Sequence, residues 1–249
     1  MIVNEYKSYF EMIPQHEHAR ISYEILKNWG DRSVEKSSVW EALLLAVREH
    51  DRAWIPLDAS PIMNKEQNKP YSFTDYPEKE KITAYQQGIQ TVVKKNAYSG
   101  LLNSLHYASF FKNNTSKKAV SFLKEEEKRQ EKLRELQTHS EESFHLRLLQ
   151  FCDDLSLYAC MNDPGAREDE EISWFKNGFR HTFEFLDYKT IQAQFISTNE
   201  IQLTPFPLRS PLKVTIHGKA VKKTVIAEEN VDAAFQSGEE AVRNFSFVP

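Results

Sequence analysis

The stretch HLRLLQFCDDLSLYACM, residues 145–161, constrains the fold most. On a helix spanning about 141–161, its apolar side chains leave almost no polar face. Such a helix belongs at the centre of a bundle, with other elements packed around it. Asp163, Pro164 and Gly165 close it. Asp153 interrupts the apolar face, with Leu146 and Leu149 before it and Leu157 and Cys160 after it. A carboxylate there is expensive to bury unless its charge is paired or it ligates a metal. Asp154 falls off the 149–157 face, so Asp153 is the carboxylate expected to point inward.

Two other helices repeat the arrangement. His18 stands three residues before Ile21, seven before Ile25 and eleven before Trp29, on the apolar face of a helix over 17–29 that Gly30 stops. His50 lies three residues after Val47, seven after Leu43 and eleven after Val39, at the end of a helix that a capping box of Ser38 and Glu41 is expected to open. Asp51 follows it directly. A lone histidine on an apolar face is more often a hydrogen-bonded core residue than a ligand, and Arg147 and Ser156 are at hand to satisfy a lone Asp153. Taken jointly, however, three helices direct His18, His50 and Asp153 inward, with Asp51 beside them. Two imidazoles and two carboxylates make a mixed nitrogen and oxygen donor set. It suits divalent Mn, Fe, Co, Ni, Zn or Mg without choosing among them.

Further helices are expected over 79–95, 98–111 and 117–137, the last with a charged, solvated face. A long proline-containing connection, about 55–78, precedes them, and loops of that length are usually functional or mobile. After about 170 the pattern changes to short strands at 182–186, 194–197, 201–204 and 212–216, the last cleanly alternating. The expected organisation is a helical domain over 14–165 and a small β-rich extension over 170–249, packed with a strand-like segment at 1–13.

Composition narrows the function. A net charge of −4 argues against a protein whose main task is gripping nucleic acid. No apolar run approaches about 18 residues and the N-terminus does not read as a signal peptide, so a cytoplasmic protein with no membrane partner is expected. Cys152 and Cys160 read as buried hydrophobes in a reducing compartment. Seven glycines and no glycine-rich phosphate loop disfavour a P-loop or dinucleotide fold.

The order of these residues, HARISYEIL from His18, AVREHD ending at Asp51 and CDDLSL around Asp153, resembles the His … His-Asp … Asp pattern of the HD-domain phosphohydrolases. The resemblance implies a mainly α fold, an HD-type helical bundle with a small β-rich C-terminal extension, in which His18, His50, Asp51 and Asp153 hold the metal. The chain is also similar to an uncharacterised bacterial family, a domain of unknown function, through QHEHA at 15–19, EHDRAW at 49–54 with DASP at 58–61, LNSLH at 102–106 and DDLSLY at 153–158. That likeness covers most of the chain and implies no substrate.

The expected function is metal-dependent hydrolysis of a small phosphomonoester or nucleotide by metal-activated water. Asp58 would orient the water, and His106 would act as an extra ligand or contact the phosphate. His106 also fits a core histidine bonded to a carbonyl, and Asp58 a turn cap. Gln15 and His16 are expected near the mouth of the site, with Arg20, Arg52 and Arg147 as undistinguished phosphate contacts. Two rival readings are a non-catalytic binding protein with a structural or vestigial metal, and a di-iron oxygenase. The oxygenase needs more inward histidines than His106 and His145 supply, since both His139 and His145 read as exposed. Oligomeric state leaves no trace in the sequence.

Overall fold

The computed structural model describes residues 1–136 and 141–249. Strands β1 (Ile2–Glu5) and β2 (Tyr9–Ile13) pair antiparallel and lead into helix α1 (Gln15–Lys27). Helix α2 (Trp40–Glu49) passes through a 3-10 turn, Arg52–Trp54, into the short helix α3 (Ile55–Ala59). A two-strand hairpin follows, β3 (Met63–Asn64) and β4 (Lys69–Pro70). The long helices are α4 (Glu78–Lys95), α5 (Ala97–Ser109), α6 (Lys117–Leu136) and α7 (Glu142–Met161). The chain ends in β5 (Gln192–Ser197), β6 (Glu200–Thr204), β7 (Leu212–Lys222), α8 (Lys223–Glu228), α9 (Val231–Gln236) and β8 (Glu239–Val248).

These strands form one six-stranded sheet in the order β1-β2-β7-β8-β6-β5. The long β7 pairs antiparallel with β2 on one side and β8 on the other, while β6 runs parallel to β8. The architecture is therefore mixed α/β, which corrects the mainly α, HD-type bundle expected from the sequence. An apolar sheet face has to be covered. Val214 and Ile216 of β7, Ile201 and Leu203 of β6, and Phe245 and Phe247 of β8 share one buried core with Trp29, Phe151 and Leu155 from the helical part. Each large aromatic buried there contributes on the order of 1.5–3 kcal/mol.

The helices match their apolar periods closely, because that signal is local. α7 is buried nearly all round. It lies against α1, where the Ser22 hydroxyl reaches the Cys152 carbonyl (3.1 Å) and the Ser156 hydroxyl (2.8 Å). Cys152 and Cys160 are both buried and free.

Several local expectations are corrected. Ser38 and Glu41 form no capping box: the N-cap of α2 is Val39, without a side-chain cap, and the Ser37 carbonyl accepts from Trp40 N–H. Residues 182–186 are not a strand. Phe183 enters the aromatic cluster of Trp29 and Phe151, and Glu184–Leu186 is a 3-10 turn. His145 is fully buried with Nδ1 2.7 Å from Tyr98 Oη, not exposed, while His139 lies outside the described residues. Among the described residues, no helix is long and apolar enough to cross a membrane.

Candidate metal centre

α1, the C-terminal end of α2, α5 and α7 converge where their apolar faces meet, and each brings polar side chains to one point. His18, His50 and His106 are wholly buried, and Asp51 and Asp153 are each 4% exposed. His18 Nε2 lies 2.6 Å from Asp51 Oδ2. His50 Nε2 is 3.3 Å from Asp153 Oδ1 and 4.0 Å from Asp51 Oδ2. His106 Nε2 is 3.6 Å from Asp153 Oδ2. Two groups, His18/His50/Asp51 and His50/His106/Asp153, each have one donor atom per residue within 4.8 Å of the others. These buried His and Asp groups could hold a metal. Donors on a neighbouring pair of positions around an ion with bonds of about 2.1 Å sit roughly 3 Å apart, within the spread found here.

The hydrogen bonds behind the centre fix how the imidazoles present themselves. The Ser156 hydroxyl, which donates to the Asp153 carbonyl (2.9 Å), lies 2.8 Å from His18 Nδ1 and so orients the ring with Nε2 toward Asp51, where an N–H donates to the carboxylate when no ion lies between them. His50 Nδ1–H donates to the Val47 carbonyl (2.7 Å), which turns Nε2 inward. Backing of this kind sets the tautomer and orientation of metal-bound histidines. His50 Nε2 and both ring nitrogens of His106 have no hydrogen-bond partner among the described residues. Buried polar atoms left in that state are rare and call for an explanation such as an ion.

Charge tells the same story. Burial works to lower the His50 pKa, yet Asp51 and Asp153 outweigh it and lift the value to about 9. Burial would raise both carboxylates, but the histidines hold them below the usual range. His106, further from compensating charge, is driven down to about 4 by burial. The pocket thus carries two carboxylates that demand positive charge and one histidine that stays neutral.

A cavity of about 430 Å³ opens from Asp51, His106 and Asp153 toward solvent. Gln15 lines it, but His16 does not. Asp58 is not brought to it. Its Oδ2 accepts from Gln15 N–H (2.6 Å) and its Oδ1 from the Met1 amine, so it acts as a tertiary cap on α1, which has no side-chain cap of its own. Arg20 and Arg52 pair with Glu17 and Glu49, Arg147 lies over Phe144, and none of the three lines the cavity.

The cavity cations are instead Arg180 and Lys81. Arg180 is held by Asp154, with Nε 2.9 Å from Oδ2 and Nη2 3.3 Å from Oδ1. Burial and the charge of Asp153 outweigh Arg180 and raise the Asp154 carboxyl to about 7. Lys81 makes a 3.5 Å contact with the Phe73 carbonyl and no ion pair among the described residues, and burial lowers its pKa. No sequence signal marked Arg180, which sits in an irregular segment 26 residues along the chain from its partner Asp154. The adjacent-residue pattern at Asp153 and Asp154 was legible only as a choice between two candidate ligands.

The family model described as a protein of unknown function, DUF3891, matches residues 1–223. No curated protein and no solved structure matches. These comparisons give no link to the HD-domain proteins, and the helical bundle that link implies is not the architecture found.

Proposed function

The chain belongs to the DUF3891 family, whose function is unknown, and on that premise we propose that it is a metal-dependent hydrolase of small phosphate monoesters. His18, His50, Asp51 and Asp153 would hold a divalent ion, with His106 as a fifth donor or a contact at its edge. The observation that carries the reading is His50 Nε2, buried without a hydrogen bond behind Asp51 and Asp153, the two carboxylates that line a cavity whose wall also bears Arg180 and Lys81. A divalent ion in such a site supplies Lewis acidity and a bound water of lowered pKa.

The chain's own residues account for the rest. Arg180 can accept a phosphoryl group on its donors, and Asp154 fixes the guanidinium plane. Lys81 adds a second positive charge in a partly dehydrated wall, where attraction to an anion is less screened than in water. The reading keeps the ordered His … His-Asp … Asp donors and discards the HD-type frame.

A single ion is favoured over an iron pair. His50 is common to both donor groups and its Nδ1 is committed to Val47. An imidazole nitrogen has one lone pair, so the two groups cannot each bind an ion through His50.

The test is to strip the protein with chelator, reload it separately with Mn, Fe, Co, Ni, Zn and Mg, and assay a panel of phosphate monoesters. Turnover that needs the metal and disappears in His50→Ala supports the proposal. Tight metal binding without turnover of any ester would replace it with a structural metal site.

A further inference from the structure

Two large aromatic side chains at the cavity are left facing solvent. Phe110, at the end of α5, is 49% exposed, and Trp174, in the 3-10 turn Ser173–Phe175, is 53% exposed. Both line the same cavity as Arg180 and the metal-centre residues. Phe110 sits one ring out from the centre, its centroid 4.7 Å from that of His106. Trp174 stands edge-on to Phe73, with centroids 6.1 Å apart. Apolar rings exposed singly need no explanation, but two that rim one cavity beside a cation mark a binding surface. The volume, about 430 Å³, suits a small molecule rather than a chain segment.

The outer carboxylates of the cavity are engaged, yet Arg180 spends only two of its five N–H donors on Asp154 and Lys81 has no ion pair among the described residues. Asp154 is engaged by Arg180, and Glu78 by Asn114 and Ser116 (both 2.8 Å). The outer, aromatic part of the cavity is thus matched to a planar apolar group and the inner part to an anion.

We propose that Phe110 and Trp174 form a stacking subsite that selects phosphate monoesters carrying a planar ring, with Arg180 holding the phosphoryl end beside the metal centre. The inference rests on the monoesterase reading for its inner half only. An aromatic ring and a nucleobase share the stacking chemistry, and the test separates them.

The probes are phosphonates, which bind without being hydrolysed: methylphosphonate, phenylphosphonate and a nucleoside 5′-phosphonate. Dissociation constants are measured by calorimetry on Mn-loaded wild type, Trp174→Ala, Phe110→Ala and Arg180→Gln. Both ring-bearing probes should bind about tenfold or more tighter than methylphosphonate, the scale expected of one stacked ring. Trp174→Ala should shrink that advantage to about threefold or less and leave methylphosphonate unchanged, while Arg180→Gln should weaken all three about tenfold. The tighter of the two ring probes names the source, an aryl or a nucleoside ester. Equal affinity for all three probes, or a ring preference that survives both aromatic substitutions, overturns the subsite. Turnover of phenyl phosphate and glycerol 2-phosphate is assayed in parallel. Equal turnover without ring preference removes the subsite and keeps the hydrolase, whereas ring-selective binding without turnover removes the hydrolase and keeps the subsite.

Discussion

Asp154 and Arg180 form a two-pronged ion pair at the cavity wall, with N–O distances of 2.9 and 3.3 Å, across 26 residues of chain. Its neighbour Asp153 points the other way, to His50 and His106. Successive residues on an α-helix diverge by about 100°, so one turn of α7 serves the donor cluster on one side and the Arg180 guanidinium on the other.

The donor cluster should bind one divalent ion per chain. His50→Ala and Asp51→Ala are expected to abolish binding while helical content stays close to that of wild type, since the helices are held by the apolar core. Elemental analysis after dialysis and far-ultraviolet circular dichroism check this. Full metal occupancy in both variants would remove the centre.

Metal affinity should rise with pH. In the ion-free protein His50 carries its proton up to about pH 9. An incoming ion has to displace it, so affinity should grow about tenfold per pH unit between 7 and 9 and level off above. His106, with its value near 4, contributes no proton in that window. Calorimetry in buffers of different ionisation enthalpy should report about one proton released at pH 7.5. Binding with no proton release contradicts the assignment of His50 as a ligand. For the ion-free fold, a raised pKa means that the stability contributed by His50 is fully present below its ordinary 6.5 and is lost as pH climbs through about 9.

Asp154→Asn should stabilise the chelated protein in alkali. The native carboxyl titrates near 7 against an ordinary 3.8, so the native state holds this proton more tightly than the unfolded chain. The stability this gives is complete below pH 3.8 and gone once the pH passes about 7. An asparagine does not titrate, so the variant should exceed wild type at pH 8.5 and hold a clearly smaller lead at pH 5. Urea midpoints at the two pH values measure it, and parallel behaviour of the two proteins would show that Asp154 is not strained by its surroundings.

Gly88→Ala should loosen the centre from a distance. A Cβ at Gly88 would lie 2.7 Å from Ala53 Cβ and 2.8 Å from Ala53 Cα, in the turn that follows His50 and Asp51. Overpacking of this kind typically costs about 1–3 kcal/mol. Because the pressure falls on backbone next to two of the donors, metal affinity should drop together with stability. A urea titration and a metal titration check both, and an unchanged urea midpoint would show that α4 can move away freely.

The sequence alone determined the longer helices, α1, α2 and α4 to α7, and the inward direction of His18, His50 and Asp153, because helical period and apolar facing are properties of a few neighbouring residues, whereas the short α3, α8 and α9 carry too few turns to show a period. It did not determine the sheet. β8, with Glu239 and Glu240 at its start and Arg243 and Asn244 within it, has a weak strand pattern of its own and is defined by its pairing with β7 and β6. Nor did it settle Asp58, which caps α1 from 43 residues away, or Arg180, which reaches the cavity only because the chain folds back along α7. Those positions depend on contacts between segments far apart in the chain. Only the packing of sheet against helices decides which distant residues become neighbours, and with them the shape and charge of the cavity.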